Sequence, residues 1–235
     1  MNAGTTSNPD PSDGLVLLSA LEARALGCLI EKELCTPEYY PLSLNALVNA
    51  CNQKNNRDPV IAASAREVEI ALDGLRQKRI AGLFAGADAR VPKFKQTIDL
   101  VYPMEIADRV VLCELLLRGP QTAGELRGRC ERMHPFATVA ALDESLVRLA
   151  SRPAGPLVVH LKRQPGQKEA RWAQLLTGEP ATVPADETGA SVTAIAVEVK
   201  LPPEAEARFA ALEAEVARLR AEVEDLQRAL GIAKK

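Results

Sequence analysis

A chain of 235 residues with 47% hydrophobic content can bury a real core, in one large or two small domains. Aromatics are only 3%, so that core must be mostly Leu, Val, Ile and Ala. The net charge of −2 excludes a globally basic nucleic-acid-binding chain, but it hides a gradient: −2 over residues 1–18, +1 over 19–100, +3 over 101–176 and −4 over 177–235.

Five cysteines, at 28, 35, 51, 113 and 130, form no CxxC pair, and with four of them on apolar helical faces they read as buried, reduced thiols. No stretch of about 18 apolar residues occurs, and no apolar run follows a basic N-terminal segment. A soluble, cytoplasmic protein without membrane contact is expected.

Residues 1–18 are rich in Asn, Thr, Ser, Pro, Asp and Gly and read as a disordered tail. Ser19 and Glu22 form a capping box that opens a helix, with Leu21, Ala25, Cys28 and Leu29 as its apolar stripe to about Leu34. Thr36-Pro37 breaks it, and Pro41 keeps Tyr40 extended. Tyr39 and Tyr40 are expected to pack between helices one and two. Ser43 caps a second helix through Cys51, with Leu44, Leu47 and Val48 inward, and residues 52–60 are a loop. Ser64 and Glu67 open a third helix to about Lys78, buried through Val68, Ala71, Leu72 and Leu75. Ile80–Phe84 and Val91–Thr97 follow as strands of a hairpin.

Three helices and a hairpin is the winged-helix order, and it recurs. Pro103 opens a helix with Ile106, Val110, Cys113, Leu116 and Leu117, ended by Gly119-Pro120. Thr122 and Glu125 cap a short helix to about Arg132, and Thr138 opens another with Val139, Leu142, Leu146 and Leu149 inward. Leu157–Arg163 and Ala170–Leu175 are strands. Ala71-Leu72-Asp73 is echoed by Ala141-Leu142-Asp143, and Arg24 with Cys28 by Arg109 with Cys113. The fold class expected is mainly α with small β-hairpins (α+β): two tandem winged-helix domains, 19–100 and 101–176, then a linker over 177–203 and a coiled-coil helix over 204–231. In that last helix Phe209, Leu212, Val216, Leu219, Val223, Leu226 and Leu230 alternate by three and four, the pattern of a two-stranded coiled coil and hence of a homodimer. The alternative is an amphipathic helix folded back on its own domain.

The chemistry favours binding over catalysis. No nucleophile elbow, HExxH or Gly-rich phosphate loop is present, and His134 and His160 have no partners at metal spacing. No enzyme activity, metal or cofactor is expected. The third helix of each unit exposes acids (Glu67, Glu69 and Asp73; Asp143 and Glu144, beside Ser145), which would repel DNA. The hairpins carry the cations instead: Arg90, Lys93 and Lys95 in the first, Lys162, Arg163, Lys168 and Arg171 in the second. Strand alternation puts Lys93 and Lys95 on one face and Phe94 on the other. In the polar loop Asn52–Asp58, Asn and Asp first suggest local hydrogen bonding. Its functional reading makes Lys54 and Arg57 phosphate contacts and Asn55 or Asn56 base-edge donors.

The stretches Leu26–Glu33 (LGCLIEKE), Thr36–Val48 (TPEYYPLSLNALV), Ala50–Val60 (ACNQKNNRDPV), Arg90–Lys95 (RVPKFK), Leu112–Arg127 (LCELLLRGPQTAGELR), Met133–Ala137 (MHPFA) and Leu161–Arg171 (LKRQPGQKEAR) resemble the YceH family of uncharacterised bacterial proteins over roughly 18–178. The resemblance implies two tandem winged-helix-like units and supplies no substrate, activity or functional residues. A non-enzymatic protein that binds double-stranded DNA, acting as a transcriptional regulator, is the leading expectation. The alternative is a protein–protein interaction scaffold built from the same units.

Overall fold

The computed structural model describes residues 15–84, 91–163 and 166–180, together with Glu215 and Arg218. The chain divides into two compact units, 1–185 and 186–235. The first is mixed α and β, with six α-helices and five short strands among the described residues.

Helix α1 spans Ala20–Cys35. It starts where the expected capping box forms: Glu22 N donates to Ser19 Oγ at 3.2 Å and Ser19 N to Glu22 Oε2 at 2.6 Å. It stops at Thr36, before Pro37. Strand β1 (Leu42–Ser43) leads into α2 (Leu44–Cys51), and α3 (Ala65–Gln77) leads into β2 (Ala81–Phe84) and β3 (Lys93–Gln96). The sheet is antiparallel in the order β1-β3-β2, with Leu42 and Leu83 on either side of Phe94. The chain then repeats the order: α4 (Ile106–Arg118), α5 (Ala123–Cys130), α6 (Val139–Ala150), β4 (Val158–His160) and β5 (Trp172–Gln174). Gln121, just before α5, bridges Trp172 on the edge of β5 away from β4. It stands where β1 stands in the first set.

The core is one cluster that runs through both sets. Its centre is α1 against α4. Gly27 makes the close approach possible, since a Cβ there would lie 2.8 Å from Leu117 Cδ2, and Cys113 Sγ donates to Gly27 O at 3.2 Å. Every residue from Glu22 to Ile30 is buried, as is the run Val110–Leu117. The expectation of a one-sided apolar stripe on α1 is therefore too narrow. A helix enclosed on all sides buries its polar residues as well, here Glu22, Arg24 and Glu31, each of which must find a partner.

Several expectations are corrected by this packing. Residues 15–18, read as part of a disordered tail, are placed: Leu18 is buried and its N–H donates to Leu176 O at 2.6 Å. Tyr39 is 74% exposed, while Tyr40 is half-buried and its hydroxyl accepts from Gln96 N at 2.6 Å. Val139, expected inward, is 40% exposed because it is the first residue of α6. Ser145, expected outward, is fully buried and accepts from Arg148 Nη2 at 2.9 Å. In the second unit Glu215 and Arg218 are helical and paired at 2.7 Å. The heptad positions Phe209, Leu212, Val216, Leu219, Val223, Leu226 and Leu230 lie outside the described residues.

Candidate nucleic-acid interface

On the first hairpin, Lys93 and Lys95 are exposed on one face of β3 and Phe94 turns to the core between them, as the alternation requires. Lys93 lies opposite Ser43 and Phe84, where the strand is paired on both sides, and Lys95 lies opposite Gly82 on the β2 side. Arg90 falls outside the described residues. On the second hairpin Lys162, Arg163 and Lys168 are exposed. Arg171 is engaged: Nη1 donates to Pro120 O at 2.9 Å and to Glu125 Oε2 at 3.0 Å. It thereby fixes the hairpin to the start of α5, where the Thr122 N–H, in the capping box, and Arg171 together hold the Glu125 carboxyl below its ordinary range.

The α2–α3 loop is built from its own polar groups. Asn52 clasps its far side, with Nδ2 donating to Ala63 O and Ala63 N donating to Oδ1, both at 2.8 Å. Asn56 adopts φ 60°, a left-handed conformation that Asn tolerates better than most residues, and accepts from Arg118 at the end of α4. Asp58 N donates to Leu117 O at 2.9 Å. Lys54 and Asn55 are exposed at the turn.

Arg57 does not sit with them. It is 5% exposed and points under the loop. Nε donates to Ala50 O at 3.1 Å, Nη1 to Asn56 O at 2.8 Å, and Nη2 to Glu31 Oε2 at 2.6 Å and Gln53 Oε1 at 3.1 Å. Arg24 works beside it, donating to Cys51 O at 3.2 Å and Pro59 O at 2.7 Å. Two guanidinium groups thus satisfy carbonyls at the C-terminus of α2, where orphan acceptors and the helix dipole favour a cation. Burial pushes the Glu31 carboxyl up, and the Arg57 guanidinium more than reverses this, leaving it below the ordinary carboxylate range. Arg132, just past α5, reaches the same carboxylate at 3.0 Å and Lys32 at 3.4 Å.

The structure therefore brings Lys93 with Lys95, and groups Lys54 with Asn55. It keeps the two groups apart along α2, whose eight residues span about 12 Å. Missed in the sequence were Glu31, Arg24, Lys32, Arg118 and Arg132. The available signal was a pair of charges, Arg24 and Glu31, bracketing the apolar run Ala25–Ile30, because a charge enclosed in such a helix demands a partner from elsewhere. The cysteines are all free, with 28, 51, 113 and 130 buried. Burial pushes the Cys113 thiol up, away from reactivity.

Residues 18–167 match a family model described as a protein of unknown function, DUF480. A UPF0502 protein of Geobacter sulfurreducens is 52% identical over 204 residues, 87% of this chain and 90% of that protein. Relatives of the same name in Opitutus terrae and Aeromonas hydrophila are 50% and 48% identical over 170 residues each, covering 72% and 70% of this chain and 74% and 76% of theirs. With the family model spanning well over half its length, the chain belongs to the DUF480 (UPF0502) family of bacterial proteins.

Proposed function

We propose that this chain is a non-enzymatic DNA-binding protein whose two helix-and-hairpin sets are tandem winged helices, with transcriptional regulation as its setting. One observation carries the reading. Lys93 and Lys95 stand exposed on one face of a strand paired to β2 along its length and to β1 at Lys93 and Phe94, backed by the buried side of Phe94, and the hairpin of the repeated set again presents exposed cations in Lys162, Arg163 and Lys168. Cations held on stiff strands neutralise phosphates without reading bases. Base readout by α3 is disfavoured, because Glu67, Glu69 and Asp73 are exposed on that helix. The heptad pattern of 209–230 would join two protomers and so place four winged units on one duplex.

A random duplex titrated with the full-length protein tests the reading. Binding is expected at about 50 mM salt and should fall steeply towards 200 mM. Lys93→Ala with Lys95→Ala should lower the salt slope by about 1 per lysine. No binding at low salt sinks the reading. A protein-binding scaffold is the second reading, favoured by Ile70. This residue is 62% exposed among the same acids, beside a groove shared with Leu21. If that reading holds, Ile70→Ser abolishes a partner contact and leaves DNA affinity unchanged.

A further inference from the structure

Beneath the α2–α3 loop, the ends of α1, α4 and α5 converge, and their charges do not balance. Two carboxylates, Glu31 and Glu114, are each 1% exposed. Around them stand five cations, Lys32, Arg57, Arg118, Arg129 and Arg132. The group is contiguous. Lys32 Nζ is 3.4 Å from Glu31 Oε2 and 3.4 Å from Gln53 Oε1. Gln53 Oε1 also accepts from Arg57, and Arg57 bonds to the carbonyl of Asn56, whose side chain accepts from Arg118. Arg129 Nη1 donates to Gln121 Oε1 at 2.6 Å and raises the positive potential at Glu114.

The surplus is three positive charges. Arg24 and Asp58 next to the cluster add one charge of each sign, and the exposed Lys54 and Glu131 at its rim do the same, so the surplus stands. Nor is Glu114 a strong counter-ion. Arg118 Nε approaches its Oε2 to 3.1 Å, yet neither atom makes an aligned hydrogen bond. The surplus is open to solvent: the Arg132 side chain is 51% exposed, and those of Lys32 and Arg118 are 21% exposed each. Like charges held together by a fold are costly unless an anion sits among them. Two of the four arginines, Arg118 and Arg129, are bonded to groups other than Glu31, and a planar guanidinium fork fits phosphate oxygens two at a time.

We infer that this junction is a phosphate-backbone docking surface, separate from the hairpins and built by both helix sets together. It rests on the reading of the protein as DNA-binding and adds Arg118, Arg129 and Arg132 to the phosphate contacts, beside the Lys54 of the polar loop. The ligand it fits is a polyanion with closely spaced phosphates, here duplex DNA. The exposed Lys54 and Asn55 lie in the loop between Gln53 and Asn56, which both belong to the cluster, while the acidic α3 plays no part.

The test uses the full chain, labelled duplex DNA and a salt series. Arg129→Ala with Arg132→Ala should weaken binding at low salt and lower the salt slope by about 1 per arginine, while Arg132→Lys alone keeps the slope. Lys54→Ala, exposed and outside every buried contact, should lower it by about 1 even if the arginine pair proves necessary for folding. Affinity and slope unchanged in the arginine pair and in Lys54→Ala, with a loss confined to Lys93→Ala and Lys95→Ala, overturn the junction and leave the DNA reading standing. Absence of binding by the wild type overturns both.

Discussion

The connection between α2 and α3 (residues 52–64) and the one between α5 and α6 (residues 131–138) occupy the same place in the two repeated sets, and they are anchored by different physics. The first is anchored by charge: Arg57 passes under it to Glu31, Arg24 holds Pro59 O, and Asn52 closes it against Ala63. The second is anchored by an aromatic ring. Phe136 is 7% exposed in the core, with His134 set edge-on to it at 4.8 Å, and Arg127 donates to Phe136 O at 3.3 Å from the surface. A ring tolerates small shifts of the chain that carries it. A guanidinium with every nitrogen hydrogen-bonded does not, so the first loop is held by directional bonds where the second is held by a wedge. The two are also joined. Arg132, within the second connection, bonds to the same Glu31 carboxylate as Arg57, which makes this acid the common fastening of both sets.

The largest expected effect comes from breaking the charged anchor. Arg57→Ala leaves Glu31 nearly enclosed with only Arg132 and Lys32, at the rim, to answer it, and should cost about 3–5 kcal/mol of stability. Urea unfolding at neutral pH measures it. A loss below about 1 kcal/mol would show that water replaces the guanidinium and that the loop is not held from beneath. Replacing Glu31 and Arg57 together by apolar residues of similar volume should recover much of the loss, because the cost lies in the orphaned charge.

Breaking the apolar anchor should cost less. Phe136→Ala removes a ring that is nearly but not fully buried, so the loss falls at about 3 kcal/mol, the low end for such truncations. It should also be insensitive to salt, whereas the Arg57→Ala loss grows as salt screens the exposed cations Arg132 and Lys32, which alone then answer Glu31. Equal salt dependence in the two variants would erase the distinction between the anchors.

The contrast also explains what could be read from the chain alone. Capping boxes at Ser19, Ser64 and Thr122 are local, and each forms where the sequence places it. The period-two pattern around Phe94 and the apolar stripe of α3 are local as well, and both hold. Contacts between distant segments were not legible. Nothing near Arg57 in the sequence says that it faces Glu31, 26 residues away, and loop composition pointed it to solvent. The paired β1 strand is two residues long and carries no pattern of its own, so only its partner β3 reveals it. Ser145 was turned inward by Arg148, whose fork reaches Asp108 on α4 at 2.7 Å, again a partner from another helix.

The smallest effect separates the two buried glutamates themselves. Burial pushes the Glu114 carboxyl above its ordinary range, with the misaligned Arg118 only partly opposing it, while the Arg57 guanidinium overturns the same burial at Glu31 and holds that carboxyl low. The signs follow from linkage. A carboxyl raised in the folded state supports stability below its unfolded value, about pH 4.3, and that support disappears as pH rises through the folded value. A carboxyl lowered in the folded state supports stability above its unfolded value and loses that support as pH falls through the folded one. Glu114→Gln should therefore gain on the wild type as pH climbs from about 4 towards 8. The gain stays within about 1 kcal/mol, because Arg118 gives up part of its own partner. Glu31→Gln should do the opposite, losing most at neutral pH and least in acid. Unfolding free energies of both variants across that range provide the measurement. Parallel curves for the two substitutions would mean that Glu114 is as well compensated as Glu31, and that the surplus at the junction is no larger than the three charges its ion pairs give.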